Sequence, residues 1–96
     1  MNSPFVAILM GSDSDLPIMK AGCEVLKGLG VRYEVRVTSA HRTPEDTKAY
    51  INDAEQRGCA VFIAGAGMAA HLAGAVAAQT LRPVIGVPVA TVAIAG

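Results

Sequence analysis

His41 and Arg42 stand side by side in a polar stretch, Ser39-Ala-His-Arg-Thr-Pro44. A loop histidine titrates near neutral pH and can give or take a proton in a reaction. An adjacent guanidinium can grip a phosphate or carboxylate through two N–H donors. The plain alternative is a surface histidine beside an arginine paired to Glu45 or Asp46. A second cluster, Gly11-Ser-Asp-Ser-Asp15, runs into an apolar helical pattern. Ser12, Ser14 and the backbone N–H groups of a helix start suit a phosphate. Asp13 and Asp15 would repel that group, so Asp15 is better suited to accept from sugar hydroxyls. An ordinary capping loop is the competing reading. A third cluster, Gly65-Ala-Gly-Met-Ala-Ala70, lets the backbone approach a ligand at Gly65 and Gly67. His71 follows it, either as a functional group or as a structural histidine.

Several chemistries drop out at once. The third cluster fits the relaxed dinucleotide pattern G-x-G-x-x-A, but that pattern also wants an acid about 20 residues later. No acid follows Glu55. A flavin sandwich would need aromatics on loops, and Phe5, Tyr33, Tyr50 and Phe62 all fall inside strand or helix patterns. A phospho-receiver would need a distal lysine, and none follows Lys48. The two histidines and two cysteines form no metal-ligand spacing. Cys23 and Cys59 read as buried free thiols in a reducing compartment.

These clusters must be held by regular elements. Phe5 to Met10 is a short continuous apolar run, read as a buried strand. Leu16, Met19, Cys23, Leu26 and Leu29 form a helical stripe, with Asp15 as N-cap, Pro17 in the first turn and Gly30 as stop. Val31 to Thr38 alternates Val31, Tyr33, Val35 and Val37 against Arg32, Glu34 and Arg36, as a half-exposed edge strand does. Pro44 opens a second helix, capped by Thr43, with Glu45 and Asp46 in its first turn, and Gly58 ends it. Cys59 to Ala64 is a third strand, buried on both faces. Ala69 to Thr80 is an Ala-rich helix, and Val84 to Val87 is a fourth strand. The order β-α-β-α-β-α-β with short connections predicts an α/β fold, a parallel sheet covered by helices on both faces. In such sheets ligands bind beyond the carboxyl ends of the strands. All three polar clusters fall there.

The bulk properties narrow the partners. The 96 residues carry eight acidic and eight basic side chains, so net charge is zero. That argues against a basic nucleic-acid or anionic-membrane surface. With two Phe, two Tyr and no Trp, a stacking platform for single strands is also disfavoured. Hydrophobic residues make up 52%, so the chain is not disordered. After Gly58 the only charge is Arg82. The charge-free run from Gly58 to Leu81 is long enough to span a bilayer. It is rich in Ala and Gly and holds His71, Gln79 and Thr80, which fits a close-packed interior or subunit interface instead. The N-terminus lacks a basic segment, and Gly11 to Asp15 interrupts its apolar run, so no signal peptide is expected. The expected location is cytoplasmic.

Four segments together carry a resemblance: Gly-Ser-Asp-Ser-Asp (11–15), Ser-Ala-His-Arg-Thr-Pro (39–44), Ala-Gly-Ala-Gly-Met-Ala-Ala-His-Leu-Ala-Gly (64–74) and Pro-Val-Ile-Gly-Val-Pro-Val (83–89). In this order they resemble the N5-carboxyaminoimidazole ribonucleotide mutases of purine biosynthesis, over nearly the whole chain. The resemblance implies a three-layer, flavodoxin-like fold, a homo-octamer and a reaction without cofactor or metal. A carboxylate moves from the exocyclic nitrogen of the ribonucleotide to ring C4, through CO₂ released, held and recaptured. It implies His41 as the proton shuttle, and Ser12, Asp15 and Arg42 as substrate-binding residues. Ser14 and Ser39 go with them, and Gly67 and His71 line the CO₂ and base region. The related carboxylase, which uses free CO₂ on the uncarboxylated ribonucleotide, is the nearest alternative.

The chain departs from the family at three places. Met68 replaces a common Gly, and Ala73 a common Pro. At Val89–Ala90 two Val-Pro-Val positions are collapsed into one, with some thirty residues and a helix absent between them. Pro83 to Ala95 leaves no room for the crossover that a parallel neighbour requires. The expectation is therefore one incomplete domain over residues 1–96, lacking that segment and the family's C-terminal helices. If the shortening is genuine, a non-catalytic nucleotide-binding fragment becomes the third reading.

Overall fold

The computed structural model describes residues 4–38, 44–66 and 69–89. Four strands and three helices alternate: β1 (Phe5–Met10), α1 (Leu16–Gly28), β2 (Tyr33–Val37), α2 (Pro44–Gln56), β3 (Cys59–Ala66), α3 (Ala69–Ala77) and β4 (Val84–Pro88). A 3₁₀ turn, Asp13–Asp15, leads into α1. All strand pairs are parallel, in the order β2-β1-β3-β4. The expected α/β sheet is therefore present, with β2 at an edge.

β1 explains why its run is continuously apolar. Phe5, Ala7 and Leu9 enter one core with Tyr50, Ile51 and Ala54 of α2, Phe62 of β3, and Leu72 and Val76 of α3. Ile8 and Met10 enter a second core with Met19 and Cys23 of α1. A strand covered on both faces has no side to spare for polar residues. The layers follow: α1 on one face of the sheet, α2 and α3 on the other. The charge-free stretch read as interior is largely β3 and α3. No helix among the described residues is long and apolar enough to cross a membrane.

The structure corrects some expectations. α1's stripe buries Met19 and Cys23, but Leu16 is 42% and Leu29 73% exposed, because both lie at the helix ends, beyond the sheet's cover. Val35 and Val37 of β2 are also largely open. β3 is not buried throughout. Its register against β1 shifts between Phe5 and Val6, from Cys59 to Val61, and the extra residue, Ala60, faces solvent. Val61 and Ile63 are half-buried. α3 stops at Ala77 rather than Thr80. The Thr80 hydroxyl donates to Glu55 of α2 and accepts from the Arg82 N–H, which draws the chain off the helical path before Pro83. Asp15 occupies the N-cap position of α1 but makes no side-chain cap bond. Ser12 caps instead, one turn earlier. The Thr43 cap and the strand-like segment after Val89 lie outside the described residues.

Cys23 and Cys59 are both buried and free. They sit in different cores on opposite sides of the sheet, so no disulfide can join them. Burial pushes both thiols up.

Candidate functional site at the sheet switch point

From β1 the chain moves to β2 on one side, then to β3 and β4 on the other. In a doubly wound sheet the strand order reverses at one crevice, and ligands bind there beyond the carboxyl ends. Here that crevice lies between β1 and β3. Met10 pairs in register with Gly65. A Cβ built on Gly11 would stand 3.5 Å from Ala66 Cβ, so the chain leaves both strands side by side.

On the β1 side, Ser12 is extended and opens the 3₁₀ turn. Its Oγ accepts from the Ser14 N–H at 3.2 Å and shares a hydrogen bond with Ser14 Oγ at 2.9 Å. The Asp15 N–H donates to the Ser12 carbonyl at 3.0 Å. Ser14 is exposed, while Ser12 and Asp15 are half-exposed. The turn thus offers two hydroxyls and two carboxylates, Asp13 and Asp15, to solvent on a short, hydrogen-bonded frame. A hydroxyl-rich turn at a helix start can meet a phosphate or a sugar.

On the β3 side, close packing explains Gly65. A Cβ there would lie 2.6 Å from Met19 Cε, so the bare backbone of Gly65 leaves room for the end of the Met19 side chain, which would otherwise have to turn aside. His71 is the third residue of α3 and is exposed. It thus stands on the first turn after this strand's loop, as expected. Gly67, Ser39, His41 and Arg42 lie outside the described residues. The structure therefore brings the Ser12–Asp15 turn and the end of β3 to one crevice, and it fixes both ends of the 39–43 segment.

Those ends contain two residues the sequence reading did not single out. Thr38 follows β2 and is buried. Its N–H donates to the Met10 carbonyl at 2.8 Å. Its hydroxyl is hydrogen-bonded to that of Thr47, buried in the first turns of α2. One signal was available. Thr47, Tyr50, Ile51 and Ala54 share a helical stripe, so a polar residue stood on the buried face.

A separate groove of about 310 Å³ lies on the α1 face, floored by Ile8, Ile63 and Val87 and walled by Ile18, Gly22 and Val25. Its lining is apolar and offers nothing to orient a phosphorylated ligand. Among the described residues no group of three His, Cys, Asp or Glu could hold a metal.

Comparison with known proteins places the chain in a family. The AIR carboxylase family matches residues 5–96. The N5-carboxyaminoimidazole ribonucleotide mutase of Pyrococcus horikoshii is 55% identical over 93 residues, covering 97% of this chain and 52% of that protein. The phosphoribosylaminoimidazole carboxylase of Saccharomyces cerevisiae is 61% identical over 89 residues, covering 93% of this chain and 16% of that protein. The crystal structure of Treponema denticola PurE superposes with a TM-score of 0.85 at 31% identity, covering 96% of this chain and 59% of that one. The chain spans about half the length of the archaeal mutase.

Proposed function

Because the chain belongs to the AIR carboxylase family, we propose that it interconverts N5-carboxyaminoimidazole ribonucleotide and 4-carboxy-5-aminoimidazole ribonucleotide, in de novo purine synthesis. The observation that carries this reading is the family match across residues 5–96. It is supported by a sheet whose order sets the Gly11–Asp15 turn beside the end of β3.

The chemistry needs few groups. Cleavage of the N–CO₂ bond returns the electron pair to nitrogen, which takes a proton. The ring carbon C4 then attacks CO₂, forming the new C–C bond, and C4 loses its proton. One residue that gives the first proton and takes the second balances the cycle, and His41 is assigned that task. Arg42 and Ser39 bind substrate beside it. Ser12, Ser14 and Asp15 take the ribose phosphate end. Gly67 and His71 line the space that holds CO₂. A dry pocket of small residues keeps that neutral gas close to C4, and no cofactor or metal enters the cycle.

The assembly proposed is a homo-octamer. It is supported by large apolar side chains left open on one chain, among them Leu29, Val37 and Ile85. The proposed compartment is the cytoplasm, with no nucleic-acid or membrane partner. Sedimentation is expected to give a species of eight chains, and a monomer at every concentration overturns this part.

His41→Asn tests the mechanism. Carboxyl transfer to C4 is expected to fall below detection while nucleotide binding persists. Full activity in that variant removes His41 from the role. The carboxylase reading is favoured by the similarity to the yeast protein. It is separated by assaying both ribonucleotides with and without bicarbonate. The mutase reading requires turnover of the carboxylated substrate without added bicarbonate.

A further inference from the structure

We infer that Thr38 and Thr47 form a hydroxyl clasp across the neck of the 39–43 segment, making them positioning residues for His41 and Arg42. The inference rests on the carboxyl-transfer reading above and adds two residues to it. Thr38 is the last described residue before the segment, and Thr47 lies in the first turns of the helix after it. Their hydroxyls are hydrogen-bonded to each other, and Thr38 and Thr47 are 6% and 4% exposed. The Thr38 N–H is fixed separately to the Met10 carbonyl at 2.8 Å, one residue before Gly11.

Thr38 is therefore held from two directions. A backbone bond ties it to the strand that delivers the Ser12–Asp15 turn. A side-chain bond ties it to the helix that receives the chain from the loop. Both anchors lie at the carboxyl end of the sheet, where the Ser12–Asp15 turn also leaves β1. Packing alone does not require this arrangement, because valine would fill either position with nearly the same shape. A threonine carries one donor, and its hydrogen bond adds direction that a methyl group cannot supply. Small displacements of a reacting group are costly, with about 1 Å enough for a hundredfold loss of rate.

The test uses the full chain in three forms: wild type, T38V/T47V and T38S/T47S. Replacing both hydroxyls by methyl groups removes the pair at nearly constant shape, and the melting temperature of each form is measured alongside to tell a local loosening from a global loss of stability. Amide hydrogen exchange in peptides covering residues 39–46 is expected to quicken on the order of tenfold in the Val/Val form. Exchange in β1 and β3 stays unchanged. The turnover number is expected to fall on the order of tenfold, with a smaller rise in KM as Arg42 loses its placement. The Ser/Ser form restores exchange and turnover together. Wild-type exchange or wild-type turnover in the Val/Val form overturns the clasp, as does failure of the Ser/Ser form to rescue. A wild type that turns over neither ribonucleotide counts against the carboxyl-transfer reading alone. The exchange comparison then decides the clasp by itself.

Discussion

Glu34 is the residue that ties most groups together. Arg57 grips it through both terminal nitrogens, with Nη2 donating to Oε1 at 2.9 Å. The Tyr50 hydroxyl donates to the same oxygen at 2.9 Å. Arg57 also donates through Nε to Asp53 at 2.8 Å, and its guanidinium lies over the Phe5 ring. The hydrogen bonds from Arg57, joined by the one from Tyr50, hold the Glu34 carboxyl below its ordinary range, against the opposing effect of burial. Burial first, and the bond to Glu34 second, push Tyr50 up. A carboxyl with a lowered folded pKa contributes stability that is complete above its unfolded value. That stability is lost as pH falls through the folded one. Glu34→Gln is therefore expected to flatten the acid side of the stability profile. Because the pair is more than one-third exposed, the effect is small. Between about pH 6 and about pH 3 the wild type should lose about 3 °C more in melting temperature than the variant, read by circular dichroism. The alternation of β2 put Glu34 and Arg36 on one side in the sequence. What the alternation lacked was the partner, because Tyr50 and Arg57 reach them only once α2 has crossed that face. The Thr38–Thr47 pair was hidden for the same reason, although Thr47's place on the apolar stripe was readable.

Elements end where the sequence marks them, and α1 shows why. The Val31 N–H donates to the Leu26 carbonyl at 2.9 Å and the Gly30 N–H to that of Lys27 at 3.1 Å. These two bonds form a Schellman motif. The motif needs a left-handed residue, and Gly30 has φ +74°. Gly58, with φ +104°, ends the turn after α2. Gly30→Ala is expected to cost about 1–2 kcal/mol, because an L side chain in that conformation meets the following carbonyl. A Cβ there would touch nothing else, so the cost is purely conformational. Denaturant titration measures it, and a variant as stable as wild type contradicts the assignment. Glycine stops are legible because their cause is local. Helix exposure and strand bulges are not. Ala60 gave no local sign that β3 would slip by one residue against β1, and Leu29 looked like core until the sheet proved too short to cover it.

At the scale of the whole molecule, the two faces of the sheet are unequal. α2 and α3 cover one face, while α1 alone covers the other and leaves the groove above Ile63 and Val87 open. A dye that fluoresces in apolar surroundings is expected to bind this face in dilute solution. Val25→Lys, at a position 61% exposed, should lower that signal at least about twofold, while stability stays within about 0.5 kcal/mol. An unchanged signal would place the dye elsewhere. The sequence reading expected helices on both faces and took the low charge after Gly58 as a close-packed interior or subunit interface, without an imbalance between the faces. It could not say which face would be bare, since that depends on the side to which each helix crosses. The parallel order has a further consequence, for the time course of folding. β1 precedes both of its neighbours, β2 and β3, in the chain, and each is reached only after a helix has been completed. Among the described strands there is no hairpin, so every strand pair must close a long loop before it gains a hydrogen bond. Such chains fold slowly for their size. On the ribosome the apolar segment Phe5–Met10 therefore waits unpaired until residue 37 has emerged, and its second edge stays open until residue 66, an interval in which the chain is exposed to aggregation.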